Sequence, residues 1–535
     1  MALIITDLKQ PLEVADVQLN QIAANYCGVP QRAITALRIV RRSLDARRKN
    51  DIHFRVNVRV EIDPNTEKQL LKRGDAHIVQ EEQRHPQEPA FGTKSLRGRV
   101  VVVGLGPGGL FAAYQLAKYG YRPLVIERGK SMDERVRDVE QYWGGHGLVP
   151  DSNVMFGEGG AGTFSDGKLT TRIKDPRSAE CLEILEQCGA PSSIGVDAKP
   201  HIGTDHLRQV VKNLRQKIEA LGGEVRFSTT LSGFETDADG ISSVVLNTAC
   251  GTERIETNAV LLAIGQGARD TYRMLHEKGV AMAPKPFAVG VRVEHPQELI
   301  NRAQFGTFWD HPRLGAAEYR LTGKSGTRGV YTFCMCPGGL VVASASERGQ
   351  VVVNGMSNHA RDAKNANSAV VVQVFPEDFG PDALDGVRFV EKLEQDAFRL
   401  GGGHDLAPAA AYGDFRQHRA TKRFSNVEPS YRPGVMGTNL WRCLPAFVAQ
   451  GVSDGISAFG RQLRGYDMPD AVLTAVESRT SAPLRILRGE DGQSVSHIGL
   501  YPIGEGAGYA GGIVSAAVDG MAAAEQVAIR FAPTI

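Results

Sequence analysis

Apolar and polar side chains alternate with a period of two from Ile52 to Ile62, a pattern that predicts a β-strand with one buried face. Upstream, the apolar residues between Thr35 and Arg48 recur at helical spacing, which predicts an amphipathic helix. The polar, proline-containing stretch from Glu81 to Pro89 is typical of a linker. Residues 1–95 are therefore predicted to form a small α+β domain.

After Leu96 the apolar positions form short continuous runs. Arg99 to Val103 and Pro123 to Ile126 are typical of strands that are covered on both faces, as in a parallel sheet. Between them, Leu110 to Tyr119 has helical periodicity. Together these segments predict a βαβ unit.

The turn after the first of these strands carries glycines at the spacing of a dinucleotide-binding fingerprint. Gly104 allows a tight turn, Gly106 lets the backbone approach a pyrophosphate, and Gly109 lets the helix pack closely on the strand. The N-terminus of that helix then faces the phosphates. Glu127 follows the second strand, where its carboxylate can accept hydrogen bonds from an adenosine ribose.

A second glycine-rich turn lies near the end of the chain. The segment from Gly499 to Ile513 is predicted to be a strand that leads into an acidic residue, Glu505, and a glycine-rich turn, and Val514 to Ala528 is predicted to be a helix. The apolar stretch from Ala510 to Ile529 is interrupted by charged residues and falls short of what a membrane span needs. It is therefore predicted to be a buried helix.

Between the two glycine-rich segments, short apolar runs are separated by glycine turns. They predict a mostly antiparallel sheet in an inserted substrate domain. The runs are Gly329–Phe333, Gly339–Ala343, Gly349–Val353 and Ser368–Phe375.

Several motifs resemble those of known flavoproteins. Gly499–Ile513 and Thr257–Gly265 together resemble the FAD-binding domain of the glutathione-reductase-like superfamily. Over essentially its whole length, the chain resembles a bacterial family of FAD-dependent dehydrogenases of unknown substrate. The motifs that carry this resemblance are Ser43–Lys49, Gly157–Lys168, Phe333–Gly339, Asn354–Ser357, Glu477–Pro483 and Gly504–Gly512.

The resemblance implies an α/β fold, in which a Rossmann-like, glutathione-reductase-like FAD-binding domain (residues 96–282 and 476–535) carries the inserted, mainly antiparallel β domain (residues 283–475). It implies that Glu505 holds a ribityl hydroxyl and that Gly157–Lys168 lies along the pyrophosphate and the flavin ring. The residues predicted to contact FAD are Gly104, Gly106, Pro107, Gly108, Gly109, Glu127, Arg128, Arg135, Gly157, Gly159, Gly160, Gly162, Thr163, Leu231, Gly265, Gly504, Glu505, Gly511, Gly512 and Ile513.

A flavin carries out hydride transfer through its own N5 atom, so few catalytic side chains are needed. Cys334 and Cys336 are candidates, because a strand period of two would put both on one face. They form either a redox dithiol beside the flavin or two small residues lining the pocket. Arg479 is a candidate to bind a substrate carboxylate or the flavin carbonyl edge, and a surface ion pair with Glu477 is the alternative.

The sequence therefore predicts an FAD-dependent oxidoreductase that acts on an unidentified small organic molecule. Only one dinucleotide fingerprint of full quality is present, so NADPH or NADH is expected at most as a transient electron donor. An NADPH-fed flavin monooxygenase is the alternative among enzymes. A flavin-bound sensor or scaffold without turnover is another.

Two further motifs match other sites only in part. Gly162–Lys168 nearly matches the P-loop motif, but Leu169 occupies the position at which Ser or Thr should ligate magnesium. Gly451–Gly455 fits the spelling of a nucleophile elbow, but the preceding Pro445–Gln450 is not typical of a central strand. Neither nucleoside triphosphate binding nor hydrolysis by an activated serine is expected.

Composition and charge exclude several classes of protein. A chain of 535 residues predicts two to four domains, and its 60 glycines fit close backbone approach to a ligand. The 62 basic and 60 acidic residues leave a net charge of +2, which argues against a polyanion binder. The start of the chain lacks a signal-peptide pattern, and the seven cysteines indicate neither a disulfide framework nor a metal site, so a cytoplasmic protein without a metal is expected.

The N-terminal domain carries a basic run from Arg38 to Lys49. An RNA-linked flavoprotein is therefore the alternative from a different functional class. A solvated helix face is the better explanation of the run, because charge runs on amphipathic helices are ordinary, so no nucleic-acid partner is expected. The sequence gives no indication of oligomeric state.

Overall fold

The computed structural model describes residues 2–81 and 88–534. Most of the predicted linker from Glu81 to Pro89 therefore lies outside the described residues. The described chain forms a mixed α/β fold with three large sheets.

The N-terminal sheet has four strands, and each strand is antiparallel to its neighbours. The prediction of a strand from Ile52 to Ile62 is confirmed, because His53–Ile62 occupies an inner position in this sheet. In spatial order the strands are Ile34–Asp45, His53–Ile62, Ala2–Pro11 and Ile78–Gln80, and the helices of this unit are Leu19–Cys27 and Pro64–Lys72.

The prediction of a helix from Thr35 to Arg48 is wrong, because Ile34–Asp45 is a strand. This strand contains two irregularities against its neighbour, one before Ala36 and one before Arg41. An extra residue in a strand shifts the side chains that follow to the opposite face. The two shifts break the alternation and leave apolar residues at spacings that imitate a helix.

The second sheet is parallel throughout and has five short, fully or partly buried strands. Its centre confirms the predicted βαβ unit, in which Val101–Val103 leads through helix Pro107–Lys118 to Leu124–Ile126. In spatial order the strands are Leu500–Pro502, Val260–Leu262, Val101–Val103, Leu124–Ile126 and Glu224–Arg226.

Helices and a small antiparallel sheet surround this parallel sheet. The helices are Pro107–Lys118, Met132–Trp143, Arg177–Gln187, Thr204–Ala220, Arg269–Glu277 and Ile513–Arg530. The strands of the small sheet are Thr230–Asp237, Gly240–Thr248 and Gly251–Glu256.

The predicted buried helix near the end of the chain is confirmed as Ile513–Arg530. It crosses helix Pro107–Lys118 so closely that a Cβ atom at Gly520 would lie 2.1 Å from the carbonyl oxygen of Gly108. This close crossing brings the N-terminal ends of both helices to one side of the sheet. Within the described ranges, no helix combines the length and the apolar composition that crossing a membrane requires.

The third sheet has seven strands and confirms the prediction of a mostly antiparallel sheet, because only its last pair is parallel. We call it the roof sheet. In spatial order its strands are Thr322–Ser325, Arg328–Cys336, Asn365–Val374, Phe287–Pro296, Val472–Glu477, Ala407–Ala411 and Val435–Gly437.

Two short strand pairs and five helices complete this region. The pairs are Leu340–Ala343 with Val353–Met356, and Met282–Pro284 with Leu484–Ile486. The helices are Gln297–Phe305, Pro376–Phe379, Asp385–Leu400, Tyr412–Arg416 and Ala446–Gln462.

Two predictions are tested by these elements. The predicted strand over Gly349–Val353 is wrong in position, because the strand begins at Val353 and continues to Met356. Gly451–Gly455 lies inside helix Ala446–Gln462, so it cannot form the sharp turn between a strand and a helix that a nucleophile elbow needs.

The N-terminal sheet and the roof sheet share one continuous hydrophobic core, to which Val58 and Val291 both belong. Arg313 strengthens the junction by donating hydrogen bonds to the carbonyl oxygens of Leu12 and Val14. The backbone N–H of Arg42 donates to the carbonyl oxygen of Val196, which ties the N-terminal sheet to the region around the parallel sheet.

Candidate functional site

A cavity of about 380 Å³ lies where the parallel sheet meets the roof sheet. Ligands in open α/β sheets bind outside the carboxyl ends of the strands, and this cavity occupies that position. Residues from both glycine-rich segments line it. Of the predicted site residues, the lining includes Gly104, Gly106, Pro107, Gly108, Glu127, Arg128, Gly160, Gly162, Leu231, Gly265, Cys334, Arg479, Gly504, Glu505, Gly511, Gly512 and Ile513.

The first glycine-rich turn forms a cradle without side chains. A Cβ atom at Gly106 would meet only the Cα of Gly160, at 3.8 Å, whereas a Cβ at Gly160 would lie 2.9 Å from the Cα of Gly106. Helix Pro107–Lys118 begins directly behind this pair of backbones. An exposed helix N-terminus beside bare backbone favours an anion, and the geometry fits the pyrophosphate of a dinucleotide.

Gly109 does not line the cavity and acts in packing. A Cβ atom there would lie 1.9 Å from the carbonyl oxygen of Gly104 and 3.3 Å from the Cβ of Ala263. The packing role predicted for this glycine is therefore confirmed. Because Gly109 has no side chain, the helix can lie close to the sheet.

Glu127 lines the cavity and holds three backbone segments together. Its carboxylate accepts hydrogen bonds from the N–H groups of Leu105 at 2.8 Å and of Gly129 and Gly157 at 2.9 Å. A carboxylate oxygen has two lone-pair sites, and Oε1 accepts from both Gly129 and Gly157. Oε2 accepts only from Leu105 and retains capacity for a ribose hydroxyl.

Arg128 and Arg135, both predicted near the pyrophosphate, are in different environments. Arg128 lines the cavity, donates to Asp270 at 2.9 Å, and lies with its guanidinium 4.5 Å from the centre of the Phe156 ring. Arg135 is fully buried and absent from the lining. Its guanidinium donates to the carbonyl oxygens of Asn153, Val154, Glu158 and Gly160. The expectation that Arg135 contacts the cofactor is therefore corrected: this arginine holds the loop that does line the cavity.

Three more predicted contact residues lie behind the lining rather than in it. A Cβ atom at Gly157 would lie 2.4 Å from Cδ of Arg135, and one at Gly159 would lie 2.2 Å from Oγ1 of Thr163. The carbonyl oxygen of Thr163 accepts a hydrogen bond from Thr204 at 2.6 Å. These residues shape the loop so that Gly160 and Gly162 reach the cavity.

Glu505 lies at the other end of the cavity. Gln266 donates to its carboxyl group at 2.7 Å. Burial raises the pKa of Glu505 to about 7, against the opposing charge of Lys285. Gln266 and Lys285 were not predicted, because their approach to Glu505 depends on tertiary folding rather than on a motif.

The raised pKa of Glu505 predicts a pH dependence of stability. The folded chain keeps a proton on Glu505 that the unfolded chain releases above its ordinary pKa of 4.5. The contribution of this group to stability is therefore greatest at acidic pH and falls as the pH rises from about 4.5 to about 7. We expect Glu505→Gln to remove this part of the pH dependence in urea unfolding of the apoprotein.

Substitution of the exposed Glu256 by glutamine is the matched control for this measurement. It should leave the difference between pH 5 and pH 8 as in the unsubstituted protein. Equal pH profiles for Glu505→Gln and the unsubstituted protein would contradict the protonated state of Glu505.

A buried cluster of polar residues underlies the roof side of the cavity, and the sequence analysis missed its centre, Arg292. This side chain is fully buried and forms an ion pair with Glu477 at 2.8 Å. It also donates to Asn367 at 2.8 Å and to the carbonyl oxygen of Cys334 at 2.9 Å. A charged residue within the apolar strand Phe287–Pro296 was the available signal, because charges buried in a strand require partners.

Arg479 lines the cavity but has a different partner from the one considered. It forms a bidentate ion pair with the fully buried Glu394, with both N–O distances at 3.1 Å, and donates to Ser346 at 2.7 Å. The alternative of a surface ion pair with Glu477 is therefore wrong, because Glu477 pairs with Arg292. Arg479 still lines the cavity, and its guanidinium is held in a fixed position by Glu394 and Ser346.

Cys334 and Cys336 lie at the end of strand Arg328–Cys336. Cys334 lines the cavity, whereas Cys336 is completely buried. The pairing of this strand is irregular between Phe333 and Cys336, so the expectation of a regular strand period at the two cysteines is wrong. The structure nevertheless brings the two residues together, because Sγ of Cys336 donates a hydrogen bond to the carbonyl oxygen of Cys334 at 3.4 Å.

Among the residues that the structure describes, no group of three or more His, Cys, Asp or Glu side chains is placed to hold a metal ion. The charged side chains of the cavity instead have partners of their own, as in the pairs of Lys168 with Asp166, Arg479 with Glu394 and Glu477 with Arg292.

Comparisons with known proteins define the class. Residues 286–480 match the family model "FAD-dependent protein, C-terminal domain-like", and residues 2–61 match a domain of unknown function. An uncharacterised protein of Clostridium beijerinckii is 49% identical over 523 residues, which cover 96% of this chain and 97% of that protein. The chain therefore belongs to the family of this clostridial protein, and its residues 286–480 match the C-terminal domain of FAD-dependent proteins.

Two more distantly similar proteins have names that refer to flavin or oxygen chemistry. Tetracenomycin B2 monooxygenase-dioxygenase of Streptomyces olivaceus is 28% identical over 193 residues, which cover 32% of this chain and 34% of that enzyme. A triple mutant of the flavin-dependent brominase Bmp2 aligns with a TM-score of 0.37 and 12% identity, over 81% of this chain and 80% of that one. The structural likeness is too distant to bear on function.

Proposed function

We propose that this chain binds FAD non-covalently in the cavity and, with it, oxidises or reduces a small organic molecule that enters beneath the roof sheet. The proposal rests on one observation. Two glycine-rich segments that lie far apart in the sequence, around Gly106 and around Gly512, line one cavity. The proposal includes the glutathione-reductase-like arrangement of the FAD-binding region, residues 96–282 and 476–535.

We infer the direction of the cofactor from the residues that line the cavity. Glu127 and Arg128 would hold the adenosine end, since Glu127 follows the second strand of the βαβ unit. The cradle of Gly106 and Gly160 would hold the pyrophosphate. Glu505 would accept from a ribityl hydroxyl, and helix Ile513–Arg530 would direct its N-terminal end toward the flavin ring.

FAD, when bound, passes a hydride through its N5 atom to or from the substrate. The chain's own contribution is to exclude water and to fix polar groups around the reacting atoms. Arg479 is held by Glu394, so its guanidinium would present a pre-oriented positive charge to a substrate carboxylate or to the flavin carbonyl edge. We further propose that NADPH or NADH docks transiently as the electron donor.

The cradle predicts that one methyl group at Gly106 will weaken FAD binding. We expect Gly106→Ala to raise the Kd for FAD about tenfold or more, because the Cβ occupies the space where a pyrophosphate would touch the backbone. The substitution fits the protein itself, since the nearest atom would be 3.8 Å away. Fluorescence titration of the apoprotein with FAD measures the effect.

Gly233→Ala is a matched control, because its nearest atom would be 3.9 Å away and Gly233 lies outside the cavity lining. It should bind FAD with the affinity of the unsubstituted protein. Equal FAD affinity in both variants would reject the cradle as the pyrophosphate site.

The chemistry is tested by anaerobic titration of the FAD-loaded protein with NADPH and with NADH, followed by air. Bleaching of the oxidised-flavin absorbance by one nucleotide is the expected result. A chain that takes up no FAD even after reconstitution would overturn the proposal. If neither nucleotide bleaches the flavin, the proposal of a nicotinamide donor is rejected. The organic substrate then remains as the reductant.

One observation favours a second candidate, a flavin monooxygenase: the partial identity to tetracenomycin B2 monooxygenase-dioxygenase. This candidate predicts that oxygen consumption in the air step rises when a substrate is present and that one oxygen atom enters the product. Oxygen uptake that yields only hydrogen peroxide would argue against it.

A further inference from the structure

The strand that carries Cys334 and Cys336 departs from regular geometry at the cavity wall. Cys334 has a φ of 43°, in the left-handed region that residues other than glycine seldom adopt. The irregular pairing between Phe333 and Cys336 places this residue in a bulge. Bulges beside active sites redirect side chains, and this one presents Cys334 to the cavity while Cys336 stays buried beside it.

Two cations lie against this pair of thiols. Nη1 of the buried Arg292 is 3.9 Å from Sγ of Cys336 and donates to the carbonyl oxygen of Cys334 at 2.9 Å. Lys168, which lines the cavity, donates through Nζ to the carbonyl oxygen of Met335 and pairs with Asp166 at 3.1 Å. Two positively charged groups thus hold the backbone of residues 334–336, and each is itself paired with a carboxylate, Arg292 with Glu477 and Lys168 with Asp166.

This environment separates the two cysteines chemically. The neighbouring thiol of Cys336, aided by the charges of Arg292 and Lys168, lowers the pKa of Cys334, whereas the neighbouring Cys334 and burial raise the pKa of Cys336. Of the two sulfurs, that of Cys334 is therefore the one at which the thiolate is favoured. The buried cysteines elsewhere differ, because burial raises the pKa of Cys181 and of Cys443.

We propose that Cys334 and Cys336 form a redox-active dithiol that exchanges two electrons with the FAD of the cavity. This inference rests on the proposed function, since it requires FAD beneath the roof sheet. The proximity of the second FAD segment supports it, because Glu505 and Cys334 line the same cavity.

The exchange balances without a further reactant. In the oxidising direction the Cys334 thiolate and the Cys336 thiol become a disulfide: one S–S bond forms and the S–H bond of Cys336 breaks. The two electrons and the released proton pass to oxidised FAD, which becomes the anionic reduced flavin. The reverse step reduces the disulfide and returns oxidised FAD. The pair thereby stores one two-electron equivalent beside the cofactor.

An anaerobic reductive titration tests the proposal. The FAD-loaded protein carries Cys250→Ser to remove the exposed thiol, is oxidised with the thiol oxidant diamide, and is then titrated with dithionite. We expect an uptake of about four electrons per bound FAD, two for the flavin and two for the disulfide. Cys334→Ser and Cys336→Ser should each lower the uptake to about two, and Cys443→Ser should leave it at about four.

Mass spectrometry gives a second readout that needs no substituted cysteine. Alkylation of the diamide-oxidised, denatured protein should leave the peptide around residues 334–336 unmodified and lighter by two hydrogen atoms than the reduced form. Alkylation of both cysteines in this sample would overturn the proposal. The result holds even where the serine variants fail to fold.

Bound FAD is quantified first, so that the two proposals fail separately. A chain that binds FAD but takes up only two electrons after oxidation overturns the dithiol alone. A chain that takes up no FAD overturns the proposed function and, with it, this exchange.

Discussion

Arg292→Met is expected to lower the free energy of unfolding by about 3–5 kcal/mol, because it removes one partner of a buried ion pair and leaves the other unpaired. Glu477 is only 3% exposed, so little water can replace the lost guanidinium. Asn367 and the carbonyl oxygen of Cys334 also lose their donor. Denaturation by urea at pH 7, followed by far-UV circular dichroism, measures the effect.

The direction of the pH effect is fixed by Glu477, whose pKa burial already raises. Without Arg292 this carboxyl group will be neutral over a wider pH range, so the loss of stability should be smaller at acidic pH. The double variant Arg292→Met/Glu477→Gln should recover part of the loss, because no unpaired charge remains.

Arg388→Met serves as the control, since Arg388 forms its ion pair with Asp385 at the surface, with 61% of its side chain exposed. It should change the free energy of unfolding by less than about 1 kcal/mol. A similar loss for Arg292→Met and Arg388→Met would show that the Arg292–Glu477 pair does not organise the roof sheet.

Arg135→Met should destabilise the protein by about 3 kcal/mol or more, since four buried backbone carbonyl oxygens lose the guanidinium as a donor and only that of Gly160 keeps another, the N–H of Thr163. One of these carbonyl groups belongs to Gly160, half of the proposed cradle. FAD affinity should therefore fall together with stability, although Arg135 does not touch the cavity. Urea unfolding of the apoprotein and FAD titration of the folded variant measure the two effects.

Helix Met132–Trp143 supplies a matched control, because Arg137 is exposed on the same helix. Arg137→Met should retain both stability and FAD affinity. If Arg135→Met loses stability but binds FAD with unchanged affinity, the loop around Gly160 does not depend on Arg135 for its position.

The parts of the fold that follow from local sequence were predicted well. The βαβ unit around Gly104 and the final helix each combine an apolar run, a glycine turn and a helical period within one short segment. The strand Ile34–Asp45 was mistaken for a helix because its bulges disrupt the period on which the prediction depends. Bulges depend on pairing with the neighbouring strand, which local spacing does not report.

The candidate site divides in the same way. The glycines and Glu127 belong to a fingerprint with fixed spacing, and the structure places most of them at one cavity. The ion pairs of Arg292 with Glu477 and of Arg479 with Glu394 join residues that are distant in sequence and adjacent only after folding. No periodic pattern links such partners, so their identity had to come from the structure.

The shared core of the N-terminal sheet and the roof sheet has a mechanical consequence. A lid can swing open only where it can part from its neighbours without exposing much apolar surface. Here the roof sheet and the N-terminal sheet share one hydrophobic core, and Arg313 donates hydrogen bonds across their junction. Opening the roof sheet as a rigid flap would expose that core to water. A substrate must therefore enter and leave the cavity through movements of side chains and of short loops at its mouth.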